Sequence, residues 1–593
     1  MGKVGLRKKG WEFAAILFCV AVLCFGISQK EGYHMDELLS FELANAQFNP
    51  WIVPTQPQGR LAKFVANEIS GESFSETVKN LMVTVKDVLN NKGNSLLLSY
   101  QADVYEEPVW ISREQFHDYI TVDGKDAFQY LSVYFNVKDD NHPPLHFMAL
   151  HTVSSLFWGQ ITPFMGCVVN LAAMAGVMLL LMKLGRRFAI LLHMEEKARF
   201  LGIFAALLYG LSAGAMATTL LIRMYGMVTF FCVAFFDLCM EKWQEGSFAK
   251  KNFLLIAVAV LGFWTQYFFL FYCILLVAVT VVLLLLEKRF RECLGLVRSM
   301  IIAGAVGLMV FPFAISDVFS SSRGVEALGN LGEGLSGYGE RLAGFFGIFT
   351  DRTFSGFLWV LAAMTVMCLV WKLGGYVRRR EHKAETQGNE AWTQIGIGTG
   401  AVMLAAPAVG YFLLAARMSP YLVDRYIMPV FPFAALAGAL LLAVWTDMAG
   451  RYLGEKGRRI LAFAVFGTAL LVQAVNLAGY DGSYLYKGYG KQEQIAREYQ
   501  ELPCICIYEG TGYYENLPEF THYEKTLLLK PQELAERKDK SSVSGLEEAV
   551  VLVKPGAEWE QVQGILEESY GLRLKKELLA GGVHGDRIFL VGR

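Results

Sequence analysis

Apolar runs of about twenty residues, the length that crosses a hydrocarbon core as a helix, recur along this chain between short polar stretches. The first covers about residues 11–27, behind Lys3, Arg7, Lys8 and Lys9. Others cover about 164–184, 199–216, 221–240, 298–316, 355–373, 395–416, 427–446 and 459–478. The run over 253–286 is too long for one span and divides into a hairpin at Gln266-Tyr267. The pattern predicts about eleven crossings. Arg186-Arg187, Lys288-Arg289, Arg378-Arg379-Arg380 and Arg451, Lys456, Arg458, Arg459 all fall on one side of that count. Basic loops mark the cytoplasmic side. The expected protein is therefore a multi-pass cell-membrane protein with a cytoplasmic N-terminus and an extracytoplasmic tail. No small-residue cleavage site follows the first run, only Ser28-Gln29-Lys30-Glu31, so it reads as an uncleaved helix.

Two stretches break the rhythm. The first outer loop, about 28–163, has Val78, Leu81, Met82, Val85, Val88 and Leu89 at helical spacing, which predicts an amphipathic helix on the membrane or the protein. Ser112-Arg113-Glu114-Gln115 has the form of a capping box. A further helix carries Phe128, Leu131 and Phe135, and the run from Pro143 to about Trp158 reads as a short interfacial helix. From Tyr480 the composition becomes that of a soluble module. Strands are expected over 504–508, 526–529, 549–553 and 588–591, with a helix over 558–569. The fold class is an all-α polytopic membrane protein, with extracytoplasmic juxtamembrane helices, plus a small C-terminal α/β domain. Its expected division is 1–479 and 480–593.

Composition narrows this picture. Of 593 residues, 54% are hydrophobic and 18% charged, and the net charge of −1 gives no basis for nucleic-acid binding. A Gly/Ser-rich outer loop is expected over about 317–349. Cys504 and Cys506, two apart on one expected strand, are poorly placed to pair.

Candidate chemistry collects on the outer side. Asp36-Glu37 follow the first helix directly, and ionisable residues near a bilayer tend to be functional. With them come Asp139, Asp140 and His142, then Arg223 with Tyr225, then Gln266-Tyr267, and lastly Arg417 with Asp424-Arg425-Tyr426. Carboxylates can take a proton from an acceptor hydroxyl. Guanidinium groups can hold phosphate oxygens and stabilise a phosphate leaving group. His142 with Asp139 or Asp140 and Glu37 could also bind a divalent metal, although the spacing matches no defined ligand motif.

The order of these stretches resembles the GT-C glycosyltransferases, in the branch of protein O-mannosyltransferases and lipid A aminoarabinose transferases. The resemblance rests on His34-Met35-Asp36-Glu37, Asp140-Asn141-His142-Pro143-Pro144-Leu145-His146-Phe147, and Leu184-Gly185-Arg186-Arg187-Phe188. Ile222-Arg223-Met224-Tyr225 and Asp424-Arg425-Tyr426-Ile427-Met428-Pro429 complete it. It covers roughly residues 10–480. It implies inverting transfer of a sugar from a polyprenyl-phosphate carrier to an acceptor hydroxyl on a protein, polymer or glycolipid. Asp36 becomes the base, with Glu37 beside it, and Arg223 and Arg425 face the lipid phosphate with Tyr225 and Tyr426. Asp140, His142, Gln266 and Tyr267 are supporting residues. Two features depart from the family: the long segment 54–137, and His146 where an aromatic residue is common. A lipid transporter or flippase would share the many helices, but such folds show internal repeats and none is seen. A scaffold displaying the tail would leave the acids after the first helix unexplained.

Overall fold

The computed structural model describes residues 2–90, 104–319, 322–332, 337–358, 360–367 and 388–593. The chain forms two compact units. A membrane unit comprises Met1–Ser28, Asp139–His146 and Cys167–Ser483, and a sheet unit comprises Gln29–Lys138, Phe147–Gly166 and Tyr484–Arg593. This differs from the expected division at 480, because the first outer loop groups with the tail.

Among the described residues, seven helices are long and apolar enough to cross a membrane. They are Gly10–Ser28, Pro163–Leu191, Phe269–Leu286, Phe290–Val310, Ile397–Met418, Met428–Gly450 and Glu455–Ala478. A bent pair, Glu195–Gly210 with Ala213–Leu220 at 59°, would make eight. Among the described residues the count stays below the expected eleven, for identifiable reasons. Tyr225–Glu245 is long but carries Asp237, Glu241 and Lys242. Phe253–Thr265 has only 13 residues, separated from the next helix at Gln266-Tyr267 as expected. The segment 355–373 falls partly outside the described residues, and Arg378-Arg379-Arg380 falls wholly outside them. The expected Gly/Ser loop instead holds the helices Ser322–Gly332 and Tyr338–Phe354.

Small residues set the closest helix approach. A Cβ on Gly185 would come 2.8 Å from the Gly202 Cα, so Pro163–Leu191 and Ala198–Gly210 pack backbone to backbone there, as membrane helices do through small residues.

The sheet unit is built on strands β1 (Ile111–Ser112), β2 (Cys504–Ile507), β3 (Lys525–Leu529), β4 (Glu548–Val553), β5 (Arg573–Leu579) and β6 (Arg587–Gly592). Their order is β1-β3-β2-β4-β6-β5. The central β3, β2 and β4 are parallel, and the flanking pairs are antiparallel. Parallel strands are covered on both faces and read as continuous apolar runs, which is why β2 and β4 were legible. Cys504 and Cys506 sit in β2 as buried free thiols. The Trp559 ring, on the helix Trp559–Tyr570, stacks on Phe589 at 3.6 Å. β1 comes from the first outer loop, with Ile111 opposite Thr526. The capping box forms immediately after it, Ser112 Oγ accepting from the Gln115 amide and the Gln115 side chain from the Ser112 amide. The expected helix at Phe128 begins later, at Tyr130, because Phe128 takes a left-handed turn conformation at φ +61°.

Candidate functional site

The expected site residues fall in both units. Asp36 and Glu37 belong to the sheet unit, and the others belong to the membrane unit.

In the sheet unit, His34 caps the helix Met35–Asn45. Its Nδ1 accepts from the Asp36 amide at 3.1 Å, and Glu37 Oε2 accepts from the His34 amide at 2.8 Å. The cap satisfies amides that a helix start leaves bare. Glu37 is also bonded through both oxygens to the Lys30 ammonium, at 3.1 and 3.0 Å, and neither side chain has any exposed surface. The second expected catalytic acid is thus built into the scaffold. Asp36, one residue earlier, keeps 22% of its side chain exposed, with its carboxylate 3.6 Å from His34 Nδ1. Two adjacent acids have been given different environments by one helix turn. The helix then buries Leu38, Phe41 and Leu43 against the helices Arg113–Ile120 and Tyr130–Asn136 and the turn Gly512–Asn516.

In the membrane unit, Arg223 lies in the break between the helices Ala213–Leu220 and Tyr225–Glu245. Asn170 holds that break open, donating to the Leu221 carbonyl at 2.5 Å and the Arg223 carbonyl at 3.1 Å. Gly226 is required beside it, since a Cβ there would meet Asn170 Oδ1 at 2.5 Å. The buried Arg223 guanidinium reaches His142 Nδ1 at 3.4 Å, and the same nitrogen lies 2.9 Å from Asp140 Oδ2. Burial pushes the Asp140 carboxyl up, but His142 and Arg223 outweigh it and hold it below the usual carboxylate range. His146 is pushed down to about 3 by burial, with the Arg223 and His142 charges adding to it. It is therefore neutral at physiological pH.

Tyr225 and Tyr426 meet edge to face at 6.3 Å between ring centres, and Phe268 packs on Tyr426 at 5.6 Å. Gln266 is buried at the break after Phe253–Thr265, where an extended backbone ends the helix. The Tyr267 hydroxyl donates to Asp317 Oδ2 at 2.6 Å. Arg425 lies over the Tyr426 ring at 5.4 Å, and Arg417 over Tyr338 at the same distance. Asp424 accepts from Arg352 Nε at 2.9 Å, and Arg352 also binds Asp481 and Ser483. Asp424 is thus committed to holding its loop.

Lys30, Arg352 and Asp317 did not stand out in the sequence. Each is a charge at the margin of an apolar run, where a snorkelling or loop position is the ordinary reading. For Lys30 the signal was its spacing of seven from Glu37, joined to a helix end. Among the described residues, no group of three or more His, Cys, Asp or Glu side chains is placed to hold a metal ion. The Asp139 side chain lies outside those residues.

No family model matches the chain, and no curated protein matches it. Solved structures that align with most of it include ArnT from Cupriavidus metallidurans bound to undecaprenyl phosphate. That alignment has 11% identity and a TM-score of 0.45, covering 81% of this chain and 92% of that one. ArnT from Cupriavidus metallidurans in the apo state aligns at 12% identity and a TM-score of 0.43, covering 81% and 91%. Similarity at this level carries neither a ligand nor a residue assignment across.

Proposed function

We propose that this chain is an inverting membrane glycosyltransferase of the GT-C type, with Asp36 as general base. The observation that carries the reading is the contrast between two neighbouring acids. Glu37 is consumed by Lys30 and the helix cap, whereas Asp36 retains exposed surface in the first helical turn. An ionised carboxylate is the form that accepts a proton. The donor is a sugar on a polyprenyl phosphate, and the acceptor is an extracytoplasmic hydroxyl on a protein, polymer or glycolipid. The acceptor proton passes to an Asp36 oxygen as the acceptor oxygen attacks the anomeric carbon. The bond from that carbon to the phosphate oxygen breaks, and the lipid phosphate leaves with the electron pair. Arg223 and Arg425 stabilise the charge that develops on it, with Tyr225 and Tyr426 beside them. No general acid is needed, because the leaving group is already a phosphate anion. In this reading the N-terminus is cytoplasmic and the sheet unit extracytoplasmic.

One observation favours a transporter instead. The bent pair Glu195–Gly210 and Ala213–Leu220 is a broken helix of the kind that lines transport paths. Purified protein given a panel of polyprenyl-phosphate sugars separates the two. Release of polyprenyl phosphate with a new glycosidic product supports transfer, and lipid movement without product contradicts it.

A further inference from the structure

Lys30 follows the first helix by two residues, where a lysine ordinarily reaches for water or headgroups. Here it is fully buried, and its three ammonium protons are all matched. Two go to Glu37 and the third to the Tyr484 carbonyl at 2.6 Å. The Tyr486 ring lies 4.9 Å from the same nitrogen and packs near His34 at 6.4 Å. Tyr484 and Tyr486 have left-handed backbones, at φ +68° and +49°. Non-glycine residues held there are strained and persist only where the surroundings fix them. Here the fixing groups come from the start of the unit. The Glu31 amide donates to the Leu485 carbonyl at 2.8 Å, and the Gly488 amide to Glu31 Oε2 at 2.5 Å. A strap of five residues, 484–488, is therefore drawn into an unfavourable backbone against the segment that leads into Asp36.

We propose that Lys30 is a positioning residue, which ties Glu37 to the 484–488 strap and so fixes the helical turn that aims Asp36. The proposal rests on the reading of Asp36 as the base. It gives the C-terminal segment a part in transfer, because its strap supplies one of the three acceptors that hold Lys30 in place.

Lys30→Met alone strands a buried Glu37 charge and could misfold, so the informative variant is Lys30→Met/Glu37→Gln. Glutamine still caps the His34 amide, methionine matches the lysine stem, and both charges go together. We expect amide exchange over residues 33–39 to accelerate about tenfold, with β2 and β4 unchanged. We expect kcat to fall about ten- to a hundredfold at constant donor KM, as misaimed groups do. Unchanged exchange and kcat would overturn the proposal. So would an equal loss of protection in β2 and β4, which marks a purely structural pair. If wild-type protein transfers no sugar yet residues 33–39 loosen as expected, the transferase reading falls while the positioning of residue 36 stands.

Discussion

Lys30–Glu37 in the sheet unit and Asp140–His142–Arg223 in the membrane unit are both clusters of opposed charge, but they are built differently. The first is closed, with no exposed surface and every ammonium proton matched. The second is partly open, with 13% of the Asp140 and 19% of the His142 side chain exposed, and its arginine contact is long at 3.4 Å. A closed pair has already satisfied its charges and serves geometry. A partly open one leaves polar surface within reach of a bound anion. Removing one partner alone should therefore cost folding in the first cluster, and substitution in the second should weaken donor use.

The largest effect should come from the closed pair. Lys30→Met leaves an uncompensated buried carboxylate, which costs about 3–5 kcal/mol. Thermal unfolding in detergent or nanodiscs should show it. A stability equal to wild type would mean that the pair is solvated, and the contrast between the clusters would fail.

Next comes the open cluster. Arg223→Ala should still insert and should weaken donor use about ten- to more than a hundredfold, the loss of a charge-assisted hydrogen bond of about 1.5–3 kcal/mol. Arg425→Ala should behave alike. Normal donor turnover by both variants would put the phosphate elsewhere.

A further test is a pH dependence within the sheet unit. Burial, with the Asp586 charge adding, pushes Glu519 up to about 8 even though Tyr489 donates to it at 2.7 Å. Its proton is kept in the folded state and released on unfolding above the ordinary carboxylate value. The stabilisation is thus fully present below about 4.5 and is lost as pH rises through about 8, by at most about 1.4 kcal/mol per pH unit. Glu519→Gln should flatten that slope in unfolding measured between these limits. A slope unchanged by the substitution would assign it to other groups.

The sequence made the helical membrane part legible because lipid demands long apolar runs, and it placed the break at Gln266-Tyr267 and four of the six strands. It hid what depends on distant partners. β5 carries Arg573, Lys575, Lys576 and Glu577 and is largely exposed, as an edge strand that resists further pairing should be, so it lacks an apolar signature. β1 has two residues and exists only because β3 lies beside it, and through it the first outer loop joins the tail's sheet. At the site, the acids after the first helix were visible, but the difference between their surroundings was not. It is set by Lys30 and by a carbonyl at Tyr484, 454 positions away. The role of Asp424 was hidden in the same way, since its partner Arg352 is 72 positions distant.

The central claim is that Asp36, and not Glu37, takes the acceptor proton, and Asp36→Asn tests it most directly. The change keeps the size and removes the proton acceptor, which is typically worth 10²–10⁴-fold in rate. The variant should insert and unfold as wild type does and still bind lipid donor, while forming glycosidic product at least about a hundredfold more slowly. Product formation at the wild-type rate would contradict the account.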